Sequence, residues 1–197
     1  GSVFMKGANY VPADHLVSRM TPEHYQSLIK DAAAANMNML RVWGGGLREK
    51  GAFYDLCDRL GILVWQEFPF ACAFLTRFPR GESYLRLVRA EARAIVRELR
   101  HHACLALWCG GNEFSPKRNR PLVAALAGVA GSEDPARPFL PASPAGGDSH
   151  YWAVWHNFRP PAAYREDRAP FASEFGLQAP PDPEVLARFL APAEIWP

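Results

Sequence analysis

The 197 residues are 49% hydrophobic and 12% aromatic, which is enough to bury a sizeable core in one domain and too apolar for a disordered chain. A net charge of +2 gives no argument for a nucleic-acid partner or a membrane surface, and no apolar run is long enough to span a bilayer. Arginine-rich, alanine-rich and proline-rich composition reads as a habit of the source rather than a binding signal. The opening Gly1-Ser2, without a methionine, reads as a remnant of cloning, so the lack of a visible signal peptide says little about compartment. The four cysteines, Cys57, Cys72, Cys104 and Cys109, form no Cys-x-x-Cys pair, and no histidine stands at zinc-finger spacing. Neither a metal nor another cofactor is expected. Cys57 and Cys104 sit in apolar segments as core residues, which favours a reduced, cytoplasmic compartment.

Strand and helix alternate along the chain. Met5 to Val11 reads as a short strand. Thr21-Pro22-Glu23 opens a helix, with a threonine cap, proline at the first helical position and an acid in the first turn; Tyr25, Leu28, Ile29 and Ala32 continue it to Asn36. Met37 to Trp43 is a second strand, broken by Gly44-Gly45-Gly46. A helix over Phe53 to Leu60 ends at Gly61, and Ile62 to Trp65 is a third strand. Ser83 to Arg100 is the longest helix, and Cys104 to Cys109 is a fourth strand, apolar on both faces as parallel sheets require. Beyond Glu113 the punctuation loosens: a short helix over Leu122 to Val129, strands over Phe139 to Ala142, His150 to Val154 and Phe171 to Glu174, and a helix over Glu184 to Leu190. No eighth strand follows. The expected fold is therefore α/β, a (β/α)8-type barrel with seven of its eight strands present, as a closed barrel usually takes about 250 residues.

Polar residues gather where these strands end, which is where ligands bind in barrels and open α/β sheets. They are Asn9, Arg41, Trp43, Gln66, Glu67, Asn112, Glu113, His150, Trp152 and Glu174. Two glutamates at the exits of buried strands, Glu113 and Glu174, are the minimum equipment for cutting a glycosidic bond. One is an acid/base for the leaving oxygen and the other a nucleophile roughly 5–5.5 Å away for a retaining reaction. Arg41 would reach the nucleophile and hold it ionised, and Asn112 would point its amide at the sugar 2-hydroxyl. Trp43 and Trp152 would supply apolar platforms for sugar faces. Plain structural readings stand beside these: a salt bridge for Arg41, core packing for Trp43 and Trp152, a satisfied structural histidine for His150. Trp65 and Trp108 read as packing residues.

The chain resembles the catalytic barrel of glycoside hydrolase family 2, and within it the β-mannosidase branch. The resemblance lies in Lys6-Gly7-Ala8-Asn9-Tyr10-Val11-Pro12-Ala13-Asp14, in Asn38-Met39-Leu40-Arg41-Val42-Trp43-Gly44-Gly45-Gly46, in Phe53-Tyr54-Asp55-Leu56-Cys57-Asp58 and in Trp65-Gln66-Glu67-Phe68. It continues in Gly111-Asn112-Glu113, in Gly147-Asp148-Ser149-His150-Tyr151-Trp152 and in Ser173-Glu174-Phe175-Gly176-Leu177-Gln178. It implies Glu113 as acid/base and Glu174 as nucleophile, with Asn112, Arg41, Trp43, Glu67, His150 and Trp152 around the sugar. The implied activity is retaining, exo-acting removal of terminal β-mannose. The alternatives are a related β-glycosidase with another sugar, or a barrel fragment without turnover. A β-mannoside is the implied substrate, and the implied partners are a second copy of the chain or further domains of the same protein. Relative to the family, Glu67 stands where aspartate is expected, and the stretch after Glu113 leaves little room for a full fourth helix. The eighth strand is expected beyond Pro197, and the β-sandwich domains that precede the family's barrel are not in the sequence.

Overall fold

The structure, a computed structural model, describes residues 3–177 and 179–195; Gly1, Ser2 and the Gln178 of the last motif lie outside the described residues. The chain divides into two compact units, Gly1–Asp148 and Ser149–Pro197.

The first unit is an α/β fold on a five-stranded parallel sheet. Its strands are β1 (Gly7–Tyr10), β2 (Met39–Val42), β3 (Leu63–Glu67), β4 (Leu105–Cys109) and β5 (Phe139–Leu140), in the spatial order β1-β2-β3-β4-β5. Each strand pairs with the next in sequence, which a parallel sheet permits only when each return path is a crossover. Helices α1 (Pro22–Ala34), α2 (Gly51–Leu60), α3 (Glu82–Leu99) and α4 (Arg120–Glu133) supply those crossovers.

Local chemistry explains the helix ends. The Thr21 hydroxyl accepts from the His24 N–H, and His24 Nδ1 accepts from the Thr21 N–H, a reciprocal cap with histidine in the place glutamate usually takes. Gly61 ends α2 in the left-handed region at φ 69°, where glycine pays no Cβ penalty. Helix α3 turns Leu85, Val88, Ala92, Ile95, Val96 and Leu99 inward at helical spacing. The core they join includes Ile29, Val64, Phe53, Leu122 and Leu126, with Trp108 stacked on Phe68 at 5.5 Å and its indole N–H donating to Asp134 at 2.9 Å.

The structure corrects three sequence expectations. The segment after Glu113 does hold a full fourth helix: α4 runs 14 residues, burying Leu122, Ala125, Leu126, Val129 and Ala130. Its Gly128 and Gly131 and its proline at the helix start dilute the periodic signal, which made it read as a short helix. The fifth strand is two residues long, Phe139–Leu140, rather than four. The sixth strand, β6, is Asp148–Tyr151, and Val154 lies instead, buried, on the one-turn helix α5 (Ala153–His156).

The second unit contains most of β6, paired with β7 (Phe171–Phe175) in a two-stranded sheet. A 3-10 helix spans Pro161–Glu166 between them, and after β7 come two single turns, α6 (Pro183–Leu186) and α7 (Pro192–Ile195), where the sequence pattern predicts one longer helix over Glu184 to Leu190. The Asp182 carboxylate caps α6 by accepting from the Val185 N–H at 3.0 Å. Among the described residues no helix is long and apolar enough to cross a membrane.

Candidate active site

Parallel pairing aligns the C-terminal ends of neighbouring strands, so the polar residues of the first unit meet by register: Asn9 stands opposite Arg41, Arg41 opposite Trp65, and Glu67 opposite Cys109. Beyond the strand ends the ladder continues through single bridges of Asn112 to Ala71 on one side and to Ser143 on the other. Asn112 is therefore fixed by backbone on both flanks, with its N–H donating to Phe70 O at 2.8 Å and its carbonyl accepting from Cys72 N at 2.9 Å.

At the centre of this face is Arg41, 4% exposed in spite of its charge. Its guanidinium donates to Glu67 Oε1 through Nε at 3.0 Å and Nη2 at 2.8 Å, to Asn9 Oδ1 at 2.9 Å and to Asn112 Oδ1 at 2.7 Å, and lies 5.6 Å from the centre of the Trp65 ring. Burial pushes the Glu67 carboxyl upward, opposed by the Arg41 charge, the Gly44 N–H at 2.7 Å and the Cys109 thiol. Glu67 is thus committed to holding Arg41. The bond from Arg41 occupies the Asn112 carbonyl oxygen, so the amide must present its NH2 on the opposite side. That NH2 lies 3.3 Å from Glu113 Oε2 and 3.7 Å from Cys72 Sγ.

Glu113 has a backbone as specialised as its surroundings. Its φ is 49°, a left-handed conformation that non-glycine residues adopt at a cost, and its N–H donates to Ser143 O at 2.7 Å. Gly111 before it, at φ 136°, brings the chain so near the Phe70 carbonyl that a Cβ would sit 2.2 Å from that oxygen. Gly45 serves Trp43 in a similar way: a Cβ there would fall 1.8 Å from the Trp43 ring, so the Gly-Gly-Gly run lets the indole lie flat on the backbone.

In the second unit, Glu174 on β7 and His150 on β6 face each other, His150 Nδ1 standing 3.3 Å from Glu174 Oε2 with both side chains buried. The neighbouring Ser149 hydroxyl donates to Asp167, which also accepts the Ala169 N–H at 3.0 Å. These bonds hold the Asp167 carboxyl below its usual range and fasten β6 to the turn before β7. Trp152 stands at the N-cap position of α5, its ring 5.7 Å from that of His156.

Cys72, which the sequence pattern marks only as one of four cysteines outside any Cys-x-x-Cys pair, stands beside Glu113. Its φ of 57° and its position beside Glu113 come from loop geometry that no periodicity reveals. A separate group, Asp58, His102 and Cys104, places one ligand atom each within 4.8 Å of the others. Both Asp58 oxygens there already accept, from His102 Nδ1 at 2.7 Å and from the Cys104 N–H at 2.6 Å, and burial pushes the Cys104 thiol far up, away from the thiolate a metal needs.

No family model matches the chain. Curated relatives do: β-mannosidase B of Thermothelomyces thermophilus is 33% identical over 224 residues, covering 95% of this chain, and the β-mannosidase of Mus musculus is 32% identical over 230 residues, covering 98%. Among solved structures, the β-D-mannosidase of Dictyoglomus thermophilum matches 98% of the chain at 39% identity with a TM-score of 0.88. The chain is a β-mannosidase-type domain of glycoside hydrolase family 2. It spans 26% of the length of each of these relatives. The β-mannosidase-type domain is an α/β fold with a parallel sheet.

Proposed function

We propose that this domain belongs to the catalytic centre of a retaining, exo-acting β-mannosidase, with Glu113 as acid/base and Glu174 as nucleophile. The parallel sheet, in the order β1 to β5, is then a sector of a (β/α)8 barrel, to which β6 and β7 contribute the strands bearing His150 and Glu174. Glu174 attacks the anomeric carbon while Glu113 gives its proton to the departing glycosidic oxygen, leaving a mannosyl ester on Glu174. Glu113 then takes a proton from water, the water oxygen attacks the anomeric carbon, and the Glu174 carboxylate leaves. Asn112 serves the sugar 2-hydroxyl with its outward NH2; Trp43 and Trp152 serve sugar faces; His150 orients Glu174. Arg41 and Glu67 act through Asn112 rather than on the sugar directly.

The observation that carries this reading is the chain of buried bonds from Glu67 through Arg41 to Asn112, which commits the amide orientation next to Glu113. Such a network has a high cost unless every member is satisfied, and its product is one fixed NH2 beside a carboxylate at a strand exit. The test is hydrolysis of an aryl β-mannoside by the wild type, Glu174→Ala and Glu113→Ala, with azide added to each variant. Azide should rescue both, giving mannosyl azides of opposite anomeric configuration, and NMR of the first product of the wild type should show the β-anomer. A first-formed α-anomer, or variants as active as the wild type, would refute the assignment.

A further inference from the structure

The contacts around Cys72 reach beyond that assignment. Its thiol lies 3.8 Å from Glu113 Oε2 and accepts from the Asn112 NH2 at 3.7 Å, while its own N–H donates to the Asn112 carbonyl at 2.9 Å. Cys72 and Glu113 are both non-glycine residues at positive φ, 57° and 49°, on loops that follow neighbouring parallel strands, and Asn112 bridges them by backbone and side chain. The Asn112 NH2 and the Cys72 thiol meet at the same Glu113 oxygen, Oε2, and a thiol can contribute its S–H there as a donor.

We propose that Cys72 is a positioning residue for Glu113: its S–H donates to the Glu113 carboxylate and, with Asn112, holds that carboxylate in the rotamer that serves the leaving group. This rests on the acid/base role proposed above. Serine, which keeps a donor on a shorter reach, should replace cysteine in part, whereas alanine should not. The thiol itself reports on the contact without any turnover. Cys72 is exposed, while Cys57, Cys104 and Cys109 are buried, Cys57 pushed up to about 12 by that burial, so an alkylating reagent meets one reactive thiol in the folded chain. A carboxylate about 4 Å away disfavours the reactive thiolate, so its removal should speed alkylation roughly five- to tenfold.

Two measurements test this. In the first, iodoacetamide labelling of Cys72 at pH 7.5 is timed by mass spectrometry in the wild type, Glu113→Gln and Glu113→Asp, each verified as folded by its melting curve. The expected order is Glu113→Gln fastest, roughly five- to tenfold above the wild type, with Glu113→Asp between. Equal rates in all three would overturn the contact. In the second, Cys72→Ala and Cys72→Ser are compared on phenyl and 2,4-dinitrophenyl β-mannosides. Positioning of the acid predicts a roughly tenfold loss of kcat for Cys72→Ala on the phenyl substrate, partly restored in Cys72→Ser, with KM little changed. The dinitrophenyl substrate, whose leaving group departs without a proton, should be nearly unaffected in kcat/KM, which reports its first step alone. Equal losses of kcat/KM on both substrates would show a general structural defect and overturn the proposal. A wild type inert towards both mannosides would overturn the proposed function instead, and the labelling order would then decide the Cys72 contact alone.

Discussion

Replacing Arg41 with leucine separates a buried ion pair from the polar network it serves. The guanidinium is 4% exposed and gives two bonds to Glu67, whose side chain is fully buried, and one each to Asn9 and Asn112. Arg41→Leu leaves the Glu67 carboxyl in the core with the Gly44 N–H and the Cys109 thiol as neighbours, and removing one member of a buried pair costs about 3–5 kcal/mol. At 2–4 °C per kcal/mol for a chain of this size, the melting temperature should fall by about 10 °C. The deficit should also depend on pH. Burial already raises the Glu67 carboxyl in the presence of Arg41, and without that charge it rises further. A carboxyl raised in the folded state carries no penalty where it is protonated in both states. Its cost grows as pH climbs from the unfolded value of about 4.3 towards the folded one. Urea unfolding at pH 5 and pH 8 should therefore give a larger loss at pH 8. The double variant Arg41→Leu/Glu67→Leu, which removes both charges, should recover most of the stability at both pH values but not aryl mannoside turnover. A single-variant loss below about 1 kcal/mol, or one equal at the two pH values, would refute this account of the network.

Other substitutions test separate parts of the fold. Glu49 is buried, accepts from the Tyr25 hydroxyl at 2.5 Å, and is raised mainly by burial, so the wild type should lose stability as pH rises above about 4.3; Glu49→Gln should flatten that curve and raise the melting temperature by a few degrees at pH 8. At Asp58, burial is outweighed by the bonds from His102 and the Cys104 N–H, which lower the carboxyl. Its contribution is present above the unfolded value and fades as pH falls through the folded one, so Asp58→Asn should cost about 1–3 kcal/mol at pH 7 and little below about pH 3 in urea titrations. Gly45→Ala places a Cβ against the Trp43 ring. It should raise KM for aryl mannosides severalfold with a small change in melting temperature, and an unchanged KM would remove Trp43 from the sugar site.

The strand–helix alternation of the first unit was legible because each signal there is local. Thr21-Pro22 caps, Gly61 stops, and the apolar runs at β2, β3 and β4 are buried on both faces, so every strand falls within two or three residues of its expected place. After Glu113 the local signals conflict. The α4 sequence carries two glycines and a mean apolarity that blurs its period, and it is helical because α3 offers a face to pack on. In the second unit the elements are four to six residues long, shorter than the windows over which periodicity can be read.

For the site, the residue types at the strand ends were readable and the connections among them were not. Arg41 on an apolar strand had to have a partner, and the sequence left open whether that partner was structural or catalytic. The structure makes the distinction less sharp: Glu67 neutralises Arg41, and the same guanidinium turns the Asn112 amide, so one buried salt bridge also orients a group beside Glu113. Register explains why this arises. Neighbouring parallel strands put Asn9 opposite Arg41 and carry Glu67 and Asn112 to the same end of the sheet, within reach of one long side chain. Arginine suits that position because its planar fork can bond three partners at once, which a lysine ammonium on the same strand would do without fixing the plane of the amide. Conversion of Arg41 to Lys would keep the charge that neutralises Glu67 and lose the fork that orients Asn112. Arg41→Lys should then retain more of the stability than Arg41→Leu while losing nearly as much turnover, and a lysine variant that kept both would mean that the charge alone, and not the geometry of the guanidinium, is what the site requires.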